Sequence, residues 1–240
     1  MKSRVRTMKS ILSVALLSSL GLWATAVEAW DTEPPSNTQP PPSSCGSSTF
    51  PASGQTAPAM GTMTHTGATV RDDGFVKAGG PLSYHDNGDG TITDLNTGLM
   101  WEKKSMDGTD HDVSKTFFWS NPASDTVWDW INAINTEVGN GIGFAGFNDW
   151  RLPNVRELLS IIDYGRLNMA VNPAFNNNVS PGCTVLTCSA ISSVPYWSST
   201  TVATIAGDAW TVEFGAGHVV AFLKSVSNAV RAVRGGCVMP

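Results

Sequence analysis

The sequence predicts an α+β fold. Three observations carry that prediction: a turn-and-strand signal at residues 86–101, two amphipathic helical patterns between residues 126 and 165, and a C-terminal third whose apolar residues alternate. Strands, then helices, then strands is the order of an α+β domain, whereas a parallel sheet would need strands and helices in alternation. No internal repeat of fixed period accompanies it.

The elements follow in order. From Phe50 to His85 the chain is rich in Gly, Thr and Ala with weak periodicity, which predicts short strands and loops at the domain edge. Asp86-Asn87-Gly88-Asp89-Gly90 is a tight turn leading into Thr91-Ile92-Thr93. Asn96-Thr97-Gly98 turns the chain again, and Leu99-Met100-Trp101 returns as the second arm of a hairpin. A helix is predicted from Thr126 to Val138: Val127, Trp130, Ile131 and Ile134 share one face, Asp125 is placed to cap it, and Gly139 and Gly141 stop it. A second helix begins after Arg151-Leu152-Pro153. Asn154 and Glu157 form a capping-box pattern, Val155, Leu158, Leu159 and Ile162 make the buried stripe, and Gly165 ends it. Four strand signals follow. They are Tyr196–Ser198, the half-buried alternation of Trp210, Val212 and Phe214, the return at Val219–Leu223, and a last strand from Ala229 to Val233 closed by Gly235-Gly236.

Residues 1–29 read as a secretory signal peptide. Lys2, Arg4, Arg6 and Lys9 form the basic start, Ile11 to Ala26 the apolar stretch, and Val27-Glu28-Ala29 a small-residue cleavage site. Residues 30–49, with Pro40-Pro41-Pro42 at their centre, have the composition of an extended, flexible lead. The working domain is then residues 50–240. No later segment is long and apolar enough to span a bilayer, so an extracytoplasmic protein, periplasmic or secreted, is expected. Loss of the leader, with its four basic residues and one acid, takes the net charge from −5 to −8. That acidity argues against a nucleic-acid partner, which needs a basic footprint.

Four cysteines, Cys45, Cys183, Cys188 and Cys237, read as disulfides in an oxidising compartment. Three pairings are open. The closeness of Cys183 and Cys188 favours a local loop, leaving Cys45 with Cys237. Zinc would want tighter ligand spacing and nearby histidines. Nine Trp against three Tyr is an unusual ratio; most should pin the core, and a few could serve as stacking platforms.

Several of these motifs together resemble a known family. Asp86–Asp94, Thr97-Gly98-Leu99-Met100-Trp101, Asp149–Asn154 with Glu157-Leu158, Tyr196-Trp197-Ser198-Ser199-Thr200 and Val233–Gly236 occur in the order seen in the Lcl C-terminal domain family, and Gly54-Gln55-Thr56 resembles its opening. The resemblance spans roughly Pro51 to Gly236. It implies a C-type-lectin-like or formylglycine-generating-enzyme-like domain, with two helices beside twisted antiparallel sheets. The member that names the family is a surface adhesin that binds glycosaminoglycans and trimerises through a collagen-like stalk; this chain has no Gly-X-Y repeat.

For function, the expectation is an exported, non-catalytic binding domain that recognises a surface glycan or an envelope protein, oligomeric or not. Trp197 offers an aromatic face to a sugar, and Asn176 and Asn177 offer amides to its hydroxyls. Arg231 and Arg234 either meet an anionic ligand or pair internally with Asp149 or Asp163. No cofactor is required. A calcium site using Asp86, Asp89 and Asp94 is the one metal reading, although an EF-hand alignment fails at both ends, with His85 first and Asn96 twelfth. The rival readings are a structural component of the cell envelope and a copper-dependent oxidase using Cys183 and Cys188. His65, His85, His111 and His218 stand in unrelated contexts, and no nucleophile-elbow pattern surrounds Ser198 and Ser199.

Overall fold

The computed structural model describes residues 50–56, 64–65, 68–69, 72–139 and 142–235. The expected signal peptide, flexible lead and Cys45–Cys237 pairing lie outside the described residues. In chain order the elements are β1 (Thr64–His65), β2 (Ala68–Thr69), α1 (Asp73–Val76), β3 (Tyr84–Asp86), β4 (Thr91–Asp94), β5 (Leu99–Glu102), β6 (Thr116–Phe118), α2 (Val127–Thr136), α3 (Val155–Ser160), β7 (Tyr196–Val202), β8 (Ile205–Glu213), β9 (His218–Leu223), β10 (Ser227–Ala229) and β11 (Val233–Gly235). The α+β expectation holds: apart from the small β1–β2 pair, there is a four-stranded sheet in the order β11-β5-β4-β3 and a five-stranded sheet in the order β6-β10-β7-β8-β9. Every pairing is antiparallel except β10 with β7.

The hairpin lies where the turn residues put it, with Ile92 opposite Trp101. Both helices carry reciprocal capping boxes. In α3 the Asn154 side chain takes the amides of Arg156 and Glu157 while Glu157 reaches back to the amide of Asn154. In α2 the cap is Thr126, paired with Asp129, and not Asp125. A hydroxyl three residues before an acid closes the box, which Asp125 cannot do. Both helices are shorter than their periodicity suggested. α2 stops at Thr136 because the chain turns out through a Val138–Ile142 bridge, and α3 stops at Ser160 because Ile162 pairs with Val171.

Two expectations about the C-terminal strands need correction. The predicted last strand is two strands in two different sheets, β10 and β11, joined by Val230–Ala232. β8 is also not half-buried in alternation, because Thr211 and Val212 are both fully buried. The reason is packing on both faces of the five-stranded sheet. Tyr196 and Val212 face one cluster, with Leu158 of α3 and with Ile92 and Trp101 of the other sheet. Trp197 and Ala209 face a second cluster, with Val127, Trp130 and Ile134 of α2 and with Trp150.

Phe175 is the hub of the first cluster. It is fully buried, with Tyr84 edge-on at 4.9 Å, Trp101 edge-on at 6.3 Å and the Arg231 guanidinium 5.5 Å from its centre. Phe175→Ala would open a cavity against both sheets. It is expected to cost about 3–5 kcal/mol, read as a lowered midpoint in urea unfolding with the slope unchanged.

Candidate functional site

The Trp residues sort by exposure. Trp101, Trp130, Trp150 and Trp197 are buried, Trp119 and Trp210 are partly covered, and Trp128 is 42% exposed. Trp128 is on the first turn of α2, and its outward position follows from the helix period: Val127 and Trp130 take the core face and leave residue 128 to solvent. Trp119, just after β6, meets it edge-to-face at 4.9 Å. Trp119 is held from behind. Its indole N–H donates to the Ser198 carbonyl, its backbone N–H donates to the Lys224 carbonyl, and the Lys224 ammonium lies 4.0 Å from its ring centre. Lys224 is fixed in turn by Thr201 Oγ1 and the Ala206 carbonyl, each at 2.9 Å. Ser120, Ser124 and Asp125, in the segment between the two rings, are exposed. The result is an aromatic corner in which Trp119 is fixed and Trp128 is open to solvent.

The residues singled out from sequence are dispersed. Trp197 is fully buried with its indole N–H on the Phe117 carbonyl, so it is a core residue and not a stacking face. Arg231 is also fully buried; its guanidinium is turned inward and donates to the Glu102 and Ala190 carbonyls at 2.7 and 2.6 Å. Arg234 pairs with Asp149 at 2.6 Å and covers the Phe147 ring at 3.7 Å, one of the two internal alternatives. Asn176 is exposed and Asn177 half-buried, its backbone paired with Ser189. The three carboxylates of the calcium reading are engaged separately. Asp86 bonds Lys103 and the Gly88 amide, Asp89 bonds Thr91, and Asp94, buried at the far end of β4, bonds Asn96 and Thr97. Among the described residues no three His, Cys, Asp or Glu side chains are grouped to hold a metal.

Cys183 and Cys188 form the predicted local disulfide. Their loop is stitched to the chain after β5: the Met106 amide donates to the Cys183 carbonyl at 2.8 Å, and the Gly182 amide donates back to Met106 at 2.7 Å. A cleft of about 340 Å³ lies elsewhere, bordered by Gln55, Thr56, Lys77, Asp163 and Asn172. Gly54 has φ +88°, and a Cβ there would collide with the Asp163 carboxylate, so that wall admits only glycine.

Sequence reasoning missed a buried ionic cluster at the centre of the domain. Glu102 Oε1 accepts from Lys104 Nζ at 2.9 Å and from His111 Nδ1 at 2.8 Å, and its Oε2 accepts the Ala232 amide at 2.8 Å. His111 Nε2 reaches the half-exposed Glu137, at the end of α2, at 3.1 Å, and its ring packs on Phe144 at 4.0 Å. Lys104 lies 4.9 Å from the Trp130 ring centre. The signal was there in Trp101-Glu102-Lys103-Lys104, charges running straight on from a core strand. Burial pushes the Glu102 carboxyl up, but Lys104 and His111 outweigh it and hold the group below the usual range. Burial likewise pulls His111 down, and its bonds to Glu102 and Glu137 more than reverse this, leaving the imidazole above its ordinary value. Lys104 and Arg231 are lowered, chiefly by burial.

A histidine with a raised folded-state pKa contributes stability in full below its unfolded value, near 6.5, and loses that contribution as pH rises through the folded value. Glu102 runs the other way: its contribution is present above its unfolded value and is lost as pH falls. The melting temperature is therefore expected to decline on the alkaline side of about pH 6.5, and His111→Gln should flatten that decline. Thermal scans of both proteins across this range check it.

Comparison with known proteins bears on the whole domain. No curated protein matches the chain. The family model described as the Lcl C-terminal domain matches residues 90–234, a span that takes in β4 through β5, both longer helices, the disulfide loop and nearly all of both sheets. The chain therefore belongs to the Lcl C-terminal domain family.

Proposed function

We propose that this domain is a non-catalytic recognition module of the cell exterior, that its fold is of the C-type-lectin-like or formylglycine-generating-enzyme-like kind, and that it binds a surface glycan at the Trp119–Trp128 corner. The observation that carries the reading is Trp128 itself: a large indole left open on a rigid helix while the other buried Trp residues serve the core. An exposed indole face offers sugar C–H groups apolar contact, and the exposed side chains of Ser120, Ser124 and Asp125, in the segment between the two rings, offer hydroxyls hydrogen-bond partners. The rigidity of Trp119, fixed by Ser198 and Lys224, lowers the ordering cost of binding.

Three further features support the reading. A disulfide suits an oxidising compartment. Among the described residues no helix is long and apolar enough to cross a membrane. Cys183 and Cys188 are bonded to each other and their loop is anchored to Met106, which favours a structural role over the copper-oxidase reading.

Trp128→Ala is expected to weaken glycan binding about tenfold or more while changing stability by less than about 1 kcal/mol. Isothermal titration with the best hit of a glycan array, alongside thermal melts, measures both. An array that stays blank with folded protein, or full affinity in the variant, would remove the proposal.

A further inference from the structure

The two sheets have four edges among the described residues, and three are short: β3, β6 and β11 each have three residues. The fourth, β9, has six, His218-Val219-Val220-Ala221-Phe222-Leu223. It pairs with β8 through six consecutive residue pairs without a bulge, and no strand of the described residues pairs with its other side. The devices that usually protect an edge are missing. The strand contains no Lys, Pro or bulge, and Val219, Val220 and Leu223 are each at least 40% exposed.

Its ends carry opposite charge. At one end Glu213, paired in register with His218, is held only by the backbone amides of Gly215 and Ala216. At the other end Lys224 rests on the Trp119 ring and is hydrogen-bonded by the neutral oxygens of Thr201 and Ala206, with no carboxylate partner among the described residues. A strand with an anion lacking a counter-ion at one end and a cation lacking one at the other, among the described residues, is complementary to itself when reversed.

We propose that β9 is a self-association edge, joining two copies of this chain as antiparallel strands about a two-fold axis at Val220. The Lys224 amide donates to Gly207, so backbone groups alternate: residues 218, 220 and 222 point to β8, and Val219 and Ala221 point outward. With the axis at Val220, Val219 of each copy lies opposite Ala221 of the other, and the pair exchanges N–H···O=C bonds. The two Val220 side chains meet across the axis, and Phe222 falls beside His218. Lys224 falls across from Ala216, whose amide holds Glu213. The interface is isologous, so the five-stranded sheets fuse into one and neither copy leaves this edge bare.

Sedimentation equilibrium of the purified chain over a concentration series, together with amide hydrogen exchange at Val219 and Ala221, tests this. The expected result is a monomer–dimer equilibrium in which both amides exchange more slowly as concentration rises. Val220→Lys sets two like charges face to face on an already half-exposed position. It should raise the dissociation constant about tenfold or more while leaving the circular dichroism spectrum unchanged. Ala221→Pro removes an outward amide that β8 does not use and should act the same way. A chain that stays monomeric at every concentration overturns the proposal, whether the two amides exchange fast because the edge is bare or slowly because other residues of the same chain cover it. So does a dimer that survives both substitutions, since it must form elsewhere.

Discussion

The contact between Glu102 and the Val230–Ala232 segment holds the two sheets together. β10 belongs to one sheet and β11 to the other, so the three residues between them must cross the core. Crossing leaves backbone amides and carbonyls unpaired, and buried polar groups need partners. Glu102 takes the Ala232 amide with its carboxylate, its own amide donates to the Ala232 carbonyl, and its carbonyl takes the Arg231 guanidinium. Arg231 extends the link to Ala190, and the amide of Ala190 donates to Lys104, the residue that neutralises Glu102. The charges are there because the crossing needs strong acceptors and donors, and they are tolerated because Glu102 is bonded by Lys104, His111 and the Ala232 amide while Arg231 bonds two carbonyls. Such a cluster adds little net stability over an apolar equivalent, but removing one member strands the others.

The same cluster explains the placement of the aromatic residues. Trp130 lies beside Lys104, Phe144 on His111 and Phe175 beneath Arg231. Rings around buried cations keep water out and meet positive charge with their electron-rich faces. With these rings committed inward, Trp128 stands out as a side chain whose position the core does not require.

Much of this was legible in the sequence. The Asn/Asp/Gly turns fixed the first hairpin, and Asn154 with Glu157 marked the start of α3 to the residue, because these features depend on local chemistry alone. The helix ends were misplaced because tertiary bridges at Val138 and Ile162 overrode a continuing periodicity. The split between β10 and β11 was invisible for a related reason: Ala229 to Val233 is uniformly strand-like, and nothing local says that its two ends serve different sheets. The site was less legible than the fold. Trp197 and Trp128 are chemically identical, and only the packing of two faces of β7 buries the first while the helical period exposes the second. Arg231 stayed open between a ligand and an internal acid, because an arginine with no exposed surface can be recognised only once its carbonyl partners are known.

The position of β10 has a bearing on how the molecule is made. It is inserted between β6 and β7, while β11 closes the edge beside β5, and these are the latest strands in the order of synthesis. A growing chain lacks the strand that joins β6 to its sheet and the border of the other sheet until residue 235 has emerged. The bonds of Glu102 to Ala232 and Arg231, which tie the sheets together, are therefore among the last that the chain can make.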